Sequence, residues 1–172
     1  INRKKNKGYH YAPLDLKLSE YPDFSSTDSY EFKSGLFPMA TAVEVDIYRE
    51  IVPGECLKVY LGIDIGSTST KAVIIDTDCE VIAGLYTRTA GRPVEAVQAI
   101  FETIDDIVAD FEFIGVGTTG SGRKFIGKII GADLMLDEIT AHARAAYMLD
   151  PEVDTIIEIG GQDAKFTTLK NG

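Results

Sequence analysis

Between Asp64 and Lys71, in "DIGSTSTK", an acid, a glycine, four hydroxyl side chains and a lysine fall within eight residues, between two apolar runs. A turn that leaves a strand through Gly66, Ser67, Thr68 and Ser69 can point several backbone N–H groups inward. Such a nest binds anions, and hydroxyls together with the Lys71 ammonium add donors for phosphate oxygens. Asp64, at the end of the strand, cannot take a phosphate itself because like charges repel. It can hold Mg²⁺, usually through water, because this ion dehydrates reluctantly. Taken alone, the stretch also reads as a hairpin turn with a capping acid and exposed hydroxyls.

A second stretch, "EIGGQD" at 158–163, repeats the plan: Glu158 near a strand end, the pair Gly160 and Gly161, then Gln162 and Asp163. Two acid-tipped turns in one sheet can face each other across a polyphosphate and share its metal. Glu158, Gln162 and Asp163 would then hold water around the metal or position an attacking water, the positioning-and-charge logic of phosphoryl transfer. Asp64, Glu158, Gln162 and Asp163 are thus the candidate catalytic residues. Gly66, Ser67, Thr68, Ser69, Lys71, Gly160 and Gly161 are the candidate nucleotide contacts. Asp64, Glu158 and Asp163 are the candidate Mg²⁺ residues.

Two other features compete for a role. "GVGTTG" at 115–120 matches G-x-G-x-x-G formally, but a dinucleotide fingerprint opens the first βαβ unit, and three strands precede it here. A hinge-like turn beside the phosphates at Thr119, Gly120, Ser121 and Gly122 is the better expectation, with Arg123 reaching toward them. His142, in "TAHARAA", lies among small residues that permit close helix packing, and a packed structural histidine is favoured over a catalytic one.

The elements that position these residues follow from periodicity. "AVEVDIY" (42–48) alternates as a half-buried strand does. Strands are expected at 58–66, 70–76, 81–89 and 113–117, with a polar turn at 77–80. Pro93 opens a helix whose stripe is Val94, Val97, Ile100, Phe101, Ile104 and Ile107. Further helices are expected near 122–130 and 137–149, and the chain closes as a strand, a Gly-Gly turn and a strand. Short turns between the first three strands imply an antiparallel meander, and a strand reached through a helix implies a parallel addition. The fold class is α/β, a mixed RNase H-like sheet with helices on its faces. Residues 1–40 show no helical period and are expected to be a connector. The start "INRKK", without Met, suggests a piece of a longer protein.

Twenty-seven acids against seventeen bases give a net charge of −10, which repels a phosphate backbone, so nucleic acid is not an expected partner. No apolar run reaches the roughly 20 residues of a membrane span. Cys56 and Cys79 stand at no metal-ligand spacing and read as free thiols in a reducing cytoplasm.

On these residues the sequence resembles the superfamily of sugar kinases, heat-shock chaperone ATPases and actin. "DIGSTSTK" is similar to its first phosphate motif, "EIGGQDAK" to its second, and "GTTGSGR" stands at its first connecting segment. With "EITAHARAA" the set resembles the BadF/BadG/BcrA/BcrD ATPases, among them activators of 2-hydroxyacyl-CoA dehydratases and ATPase subunits of benzoyl-CoA reductase. The resemblance covers about residues 58–172, read as the first lobe of a two-lobe ATPase, with 1–57 an upstream linker or connector. It implies ATP/ADP and Mg²⁺ as ligands, and a CoA-ester dehydratase or reductase component as partner. It also implies a homodimer holding one [4Fe-4S] cluster on cysteines beyond the second phosphate motif, so only in the complete parent protein. Glu158 stands where many activators have Asp, which keeps the charge and lengthens the reach. A nucleotide-sensing or docking module of a tandem activator and a small-molecule kinase are the alternative readings.

Overall fold

The computed structural model describes residues 25–160 and 162–170. Seven strands form one sheet in the order β1-β2-β5-β4-β3-β6-β7. They are β1 (Asp28–Phe32), β2 (Val43–Ile47), β3 (Cys56–Ile65), β4 (Ser69–Asp76), β5 (Val81–Arg88), β6 (Asp110–Thr119) and β7 (Leu134–Met135). The expected meander is present: β3 pairs antiparallel with β4 and β4 with β5. β6, reached through helix α1 (Pro93–Asp106), lies parallel to β3. That is what a crossover long enough to hold a helix permits and a tight hairpin does not.

Alternation along β3 sends Leu57, Val59, Leu61, Ile63 and Ile65 into the core. Against this face α1 buries Val97, Ile100 and Ile104 of its expected stripe, and α2 (Arg123–Ile130) adds Ile126. The opposite face carries Gly62, Asp64, Lys71 and Val73. Helix α3 (Glu138–Leu149) crosses it, with Ala141 and Ala145 facing a cavity of about 440 Å³ and none of the helix's residues buried. Asp137 caps α3, its carboxylate accepting the Thr140 N–H at 3.0 Å and the Thr140 hydroxyl at 2.7 Å.

Three sequence expectations change. Asp28–Phe32, inside the expected connector, is a strand, and β1 and β2 extend the sheet from the β5 edge. Periodicity missed β1 because an edge strand of this kind buries little: its side chains are exposed or half-buried. Between β1 and β2 the chain is pinned to α1 by Glu102, which accepts from the Ser34 hydroxyl and the Gly35 N–H. Second, the two acid-tipped turns do not share one sheet. β8 (Thr155–Ile159) and β9 (Ala164–Thr168) form a separate antiparallel pair. Third, the two-residue β7 was too short to leave a pattern. Residues 1–24, with most of the expected connector, and Gly161 lie outside the described residues.

Candidate functional site

Asp64 is the penultimate residue of β3, paired across the ladder with Lys71 of β4 and, on the other side, with Thr119 of β6. Lys71 Nζ lies 3.6 Å from Asp64 Oδ2, and Asp64 keeps about a quarter of its side-chain surface exposed, at 27 %. Between them the chain turns at Gly66–Ser69, closed by a bond from Gly66 N–H to Ser69 O of 3.0 Å. A Cβ on Gly66 would stand 2.8 Å from Ser69 O, so the turn requires glycine there. The second stretch is built alike. Glu158 pairs with Lys165 across β8–β9, and Gly160 N–H donates to Asp163 O at 2.8 Å. Acid, isoleucine, glycine and, five positions after the glycine, lysine recur at the same steps of both hairpins.

Both turns line one cleft of about 400 Å³, with Asp64, Gly66, Ser67, Thr68, Ser69, Lys71, Glu158, Gly160, Gln162 and Asp163 on its walls. Of the sequence-predicted site residues, Gly161 alone goes without a placement. Arg123 is corrected: its guanidinium donates to Gly120 O at 2.9 Å, bound back to its own turn, and it is not on the cleft wall.

Ser121, of the turn expected beside the phosphates, completes the wall with Glu138, His142 and Lys165, and the last three are not among the expected site residues. His142 is not a packed histidine. Its Nδ1 lies 2.7 Å from Glu158 Oε2, with 41 % of its side chain exposed. Lys165 Nζ lies 2.8 Å from Glu138, 3.0 Å from Asp163 and 4.0 Å from Glu158. The hydrogen bonds to Glu138 and then Asp163 hold the Lys165 ammonium well above the ordinary lysine range. Spacing held the signal for both residues: Glu138 and His142 share a helix face four apart, and Lys165 repeats the place of Lys71.

The turn after β6 is positioned by the same acid. Gly120 has φ +82°, and a Cβ there would stand 2.3 Å from Asp64 Oδ1 and 2.6 Å from Ile65 O. Ile65 O is in turn tied to the Gly122 N–H at 2.9 Å. The backbone of the connecting turn therefore rests against the Asp64 carboxylate.

Among the described residues no three His, Cys, Asp or Glu side chains converge on a metal position. Mg²⁺ held mainly by phosphate and water needs only one or two carboxylates, which the cleft wall supplies. Asp64 suits this best: among the described residues its ionic partner is Lys71 alone, at 3.6 Å, whereas Glu158 and Asp163 are engaged by His142 and Lys165 at 2.7 and 3.0 Å. The buried Thr119 hydroxyl, opposite Asp64 in register, has no hydrogen-bond partner among the described residues. Cys56 and Cys79 are free and exposed, and the described residues offer no cluster site.

The sequence profile of the BadF/BadG/BcrA/BcrD ATPase family matches residues 61–172. The chain belongs to this family. It is 35 % identical over 116 residues to the (R)-2-hydroxyglutaryl-CoA dehydratase activating ATPase of Acidaminococcus fermentans, covering 65 % of this chain and 43 % of that protein. The crystal structure of the Acidaminococcus fermentans (R)-2-hydroxyglutaryl-CoA dehydratase component A superposes with a TM-score of 0.57 at 30 % identity, over 66 % of this chain and 43 % of that one. The activator of 2-hydroxyisocaproyl-CoA dehydratase from Clostridium difficile, solved with bound ADPNP, gives a TM-score of 0.53 at 31 % identity, over 66 % and 41 %. The chain thus spans about two fifths of the length of these relatives. The fold is that of an RNase H-like lobe of the actin-like ATPases, and the family match stops short of β1 and β2. Among the described residues no helix is long and apolar enough to cross a membrane.

Proposed function

We propose that this chain supplies the phosphate-binding turns of an ATP-dependent activator. The whole protein would drive low-potential electron transfer into a 2-hydroxyacyl-CoA dehydratase or a related CoA-ester reductase. The observation that carries the reading is the pair of like-built hairpins, Asp64–Lys71 and Glu158–Lys165, on the walls of one cleft. Its family setting, with a relative that holds ADPNP, supports a nucleotide as the occupant.

In this reading the Ser67 and Thr68 N–H groups and the Lys71 ammonium grip phosphate oxygens. Asp64 would hold Mg²⁺ through water, and the ion would supply positive charge against the phosphate oxygens. Glu158, Gln162 and Asp163 orient water at the opposite wall. His142 and Lys165 hold those carboxylates in place. Residues 58–172 form the lobe, and two strands of the upstream segment 1–57 are built onto its sheet. The complete protein works in the cytoplasm as a homodimer, with a [4Fe-4S] cluster on residues outside this chain.

The test is calorimetric titration of MgATP and MgADP into the full-length protein, wild type beside Asp64→Ala. Binding that weakens about tenfold or more in the variant, and in wild type when Mg²⁺ is withheld, is the expected outcome. Equal affinity for wild type and Asp64→Ala would remove Asp64 from the site and overturn the reading.

A further inference from the structure

We infer that Thr89, in the turn after β5, is a positioning residue for the first phosphate turn, and that Thr41 of the upstream segment supports it. The inference rests on the proposed phosphate role of Gly66–Ser69.

Thr89 is 4 % exposed and touches this turn at two peptide groups. Its hydroxyl donates to Gly66 O at 2.7 Å, and its N–H donates to Thr68 O at 3.0 Å. In a closed two-residue hairpin the Gly66 carbonyl would instead accept the Ser69 N–H. Among the described residues that bond is not made, because Thr89 holds the carbonyl on the β5 side. A trans peptide is planar, with C=O and the following N–H pointing oppositely. Fixing Gly66 O toward β5 therefore aims the Ser67 N–H away from β5. Fixing Thr68 O does the same for the Ser69 N–H. The cleft lies on that far side: its wall includes Gly66 to Ser69 and no residue of β5. Thr89 thus orients the Ser67 N–H, one of the donors that a phosphate would meet, and fixes the Ser69 peptide at the other end of the turn, without touching the phosphate.

Thr89 is itself held. The Thr70 hydroxyl, fully buried, lies 2.9 Å from its Oγ1. Since Thr89 gives its proton to Gly66 O, it accepts the proton of Thr70, and the three groups form one directed chain. The backbone just before Thr89 is clamped from outside the family-matched region. Thr41 Oγ1 accepts the Arg88 N–H at 3.1 Å and lies 2.7 Å from Thr87 Oγ1, which also reaches Ala42 O at 3.0 Å. The segment ahead of β2 is therefore joined to the phosphate turn through three successive residues of β5 and its end: Thr87, Arg88 and Thr89.

The experiment measures MgADP and adenosine affinity and thermal stability in the full-length protein for Thr89→Val, Thr89→Ser, Thr41→Val and Lys71→Ala. Thr89→Val keeps the shape and removes the donor. It is expected to weaken MgADP roughly five- to tenfold while leaving adenosine unchanged, whereas Thr89→Ser binds within about twofold of wild type. Thr41→Val, at a half-buried site away from the cleft, is expected to weaken MgADP roughly threefold at an unchanged melting temperature. If Lys71→Ala weakens MgADP and Thr89→Val does not, the phosphate reading stands and the role of Thr89 is overturned. Equal losses in Thr89→Val and Thr89→Ser overturn it as well, since the hydroxyl would then not be the operative group. Wild-type affinity in Thr41→Val overturns the upstream support even where Thr89→Val cannot be purified. If Lys71→Ala also binds MgADP normally, the phosphate reading itself fails.

Discussion

His142 Nδ1 stands 2.7 Å from Glu158 Oε2, joining α3 to the first strand of the second hairpin. The imidazole against this carboxylate limits which way Glu158 points. Lys165, drawn to Glu138 and Asp163, approaches Glu158 only to 4.0 Å and cannot replace that bond. His142→Ala should therefore loosen Glu158 without removing it. Both groups are partly exposed, so the loss is about 1 kcal/mol, a roughly fivefold fall in ATP turnover, with MgADP affinity changed less. Steady-state hydrolysis beside calorimetry on the full-length protein checks this. Turnover equal to wild type would separate the ion pair from the chemistry.

The N-terminus of α3 has its own acid dependence. Two hydrogen bonds from Thr140, first the N–H and then the hydroxyl, hold the Asp137 carboxyl below the ordinary aspartate range. A group whose folded value is depressed contributes stability that is present above its unfolded value, near 3.9, and is lost as pH falls through the folded one. Amide exchange at Thr140 and Ala141 should accordingly show local opening of α3 that increases as pH drops below about 4. Asp137→Ser keeps an oxygen acceptor that does not titrate and should flatten that dependence. A slope unchanged in Asp137→Ser would assign the titration to another group.

Much of this arrangement is legible in the sequence, for a physical reason. The strands of the meander alternate and the α1 stripe has a helical period, because each element buries one side only. Glycines and acids at strand ends mark turns by their backbone chemistry. What escaped has no periodic signature. β1 buries too little and β7 is too short to alternate. His142 looked like a packing residue because its neighbours are alanines, yet those small side chains leave it beside the cleft, not inside a core. The clamp at Thr89 depends on register: Ser69 pairs with Arg88, which sets Thr89 beside the turn. No spacing in the sequence states that pairing.

Gly120 allows a direct test of close packing at the site. Its φ of +82° alone would cost a side chain about 1 to 2 kcal/mol. The Cβ would also enter the space of the Asp64 carboxylate and Ile65 O. Gly131, at φ +70° with nothing within 4 Å of such a Cβ, isolates the backbone part. Gly131→Ala should cost about 1 kcal/mol, and Gly120→Ala about 2 to 4 kcal/mol with a loss of Mg²⁺-dependent nucleotide binding. Denaturant unfolding and calorimetry on both variants check it. Equal costs would mean that the turn moves freely off Asp64.

The upstream strands make the last prediction, because a link and a structural part of the lobe respond oppositely to truncation. Val43 and Val45 of β2 are fully buried, and they share the core with α1 and the strands of the family-matched region. Val45 lies opposite Leu85 in the β2–β5 ladder, two residues before Thr87 on β5. Truncating a side chain in such a core removes two methyl groups and leaves a cavity. Val45→Ala should cost about 2 kcal/mol. For a chain of this size that lowers the melting temperature by roughly 4 to 8 °C. Glu44→Ala, exposed on the other face of the same strand, should stay within about 0.5 kcal/mol of wild type. If β2 were a passenger on the lobe, both variants would melt together with wild type. A selective loss in Val45→Ala means that the sheet needs its upstream edge.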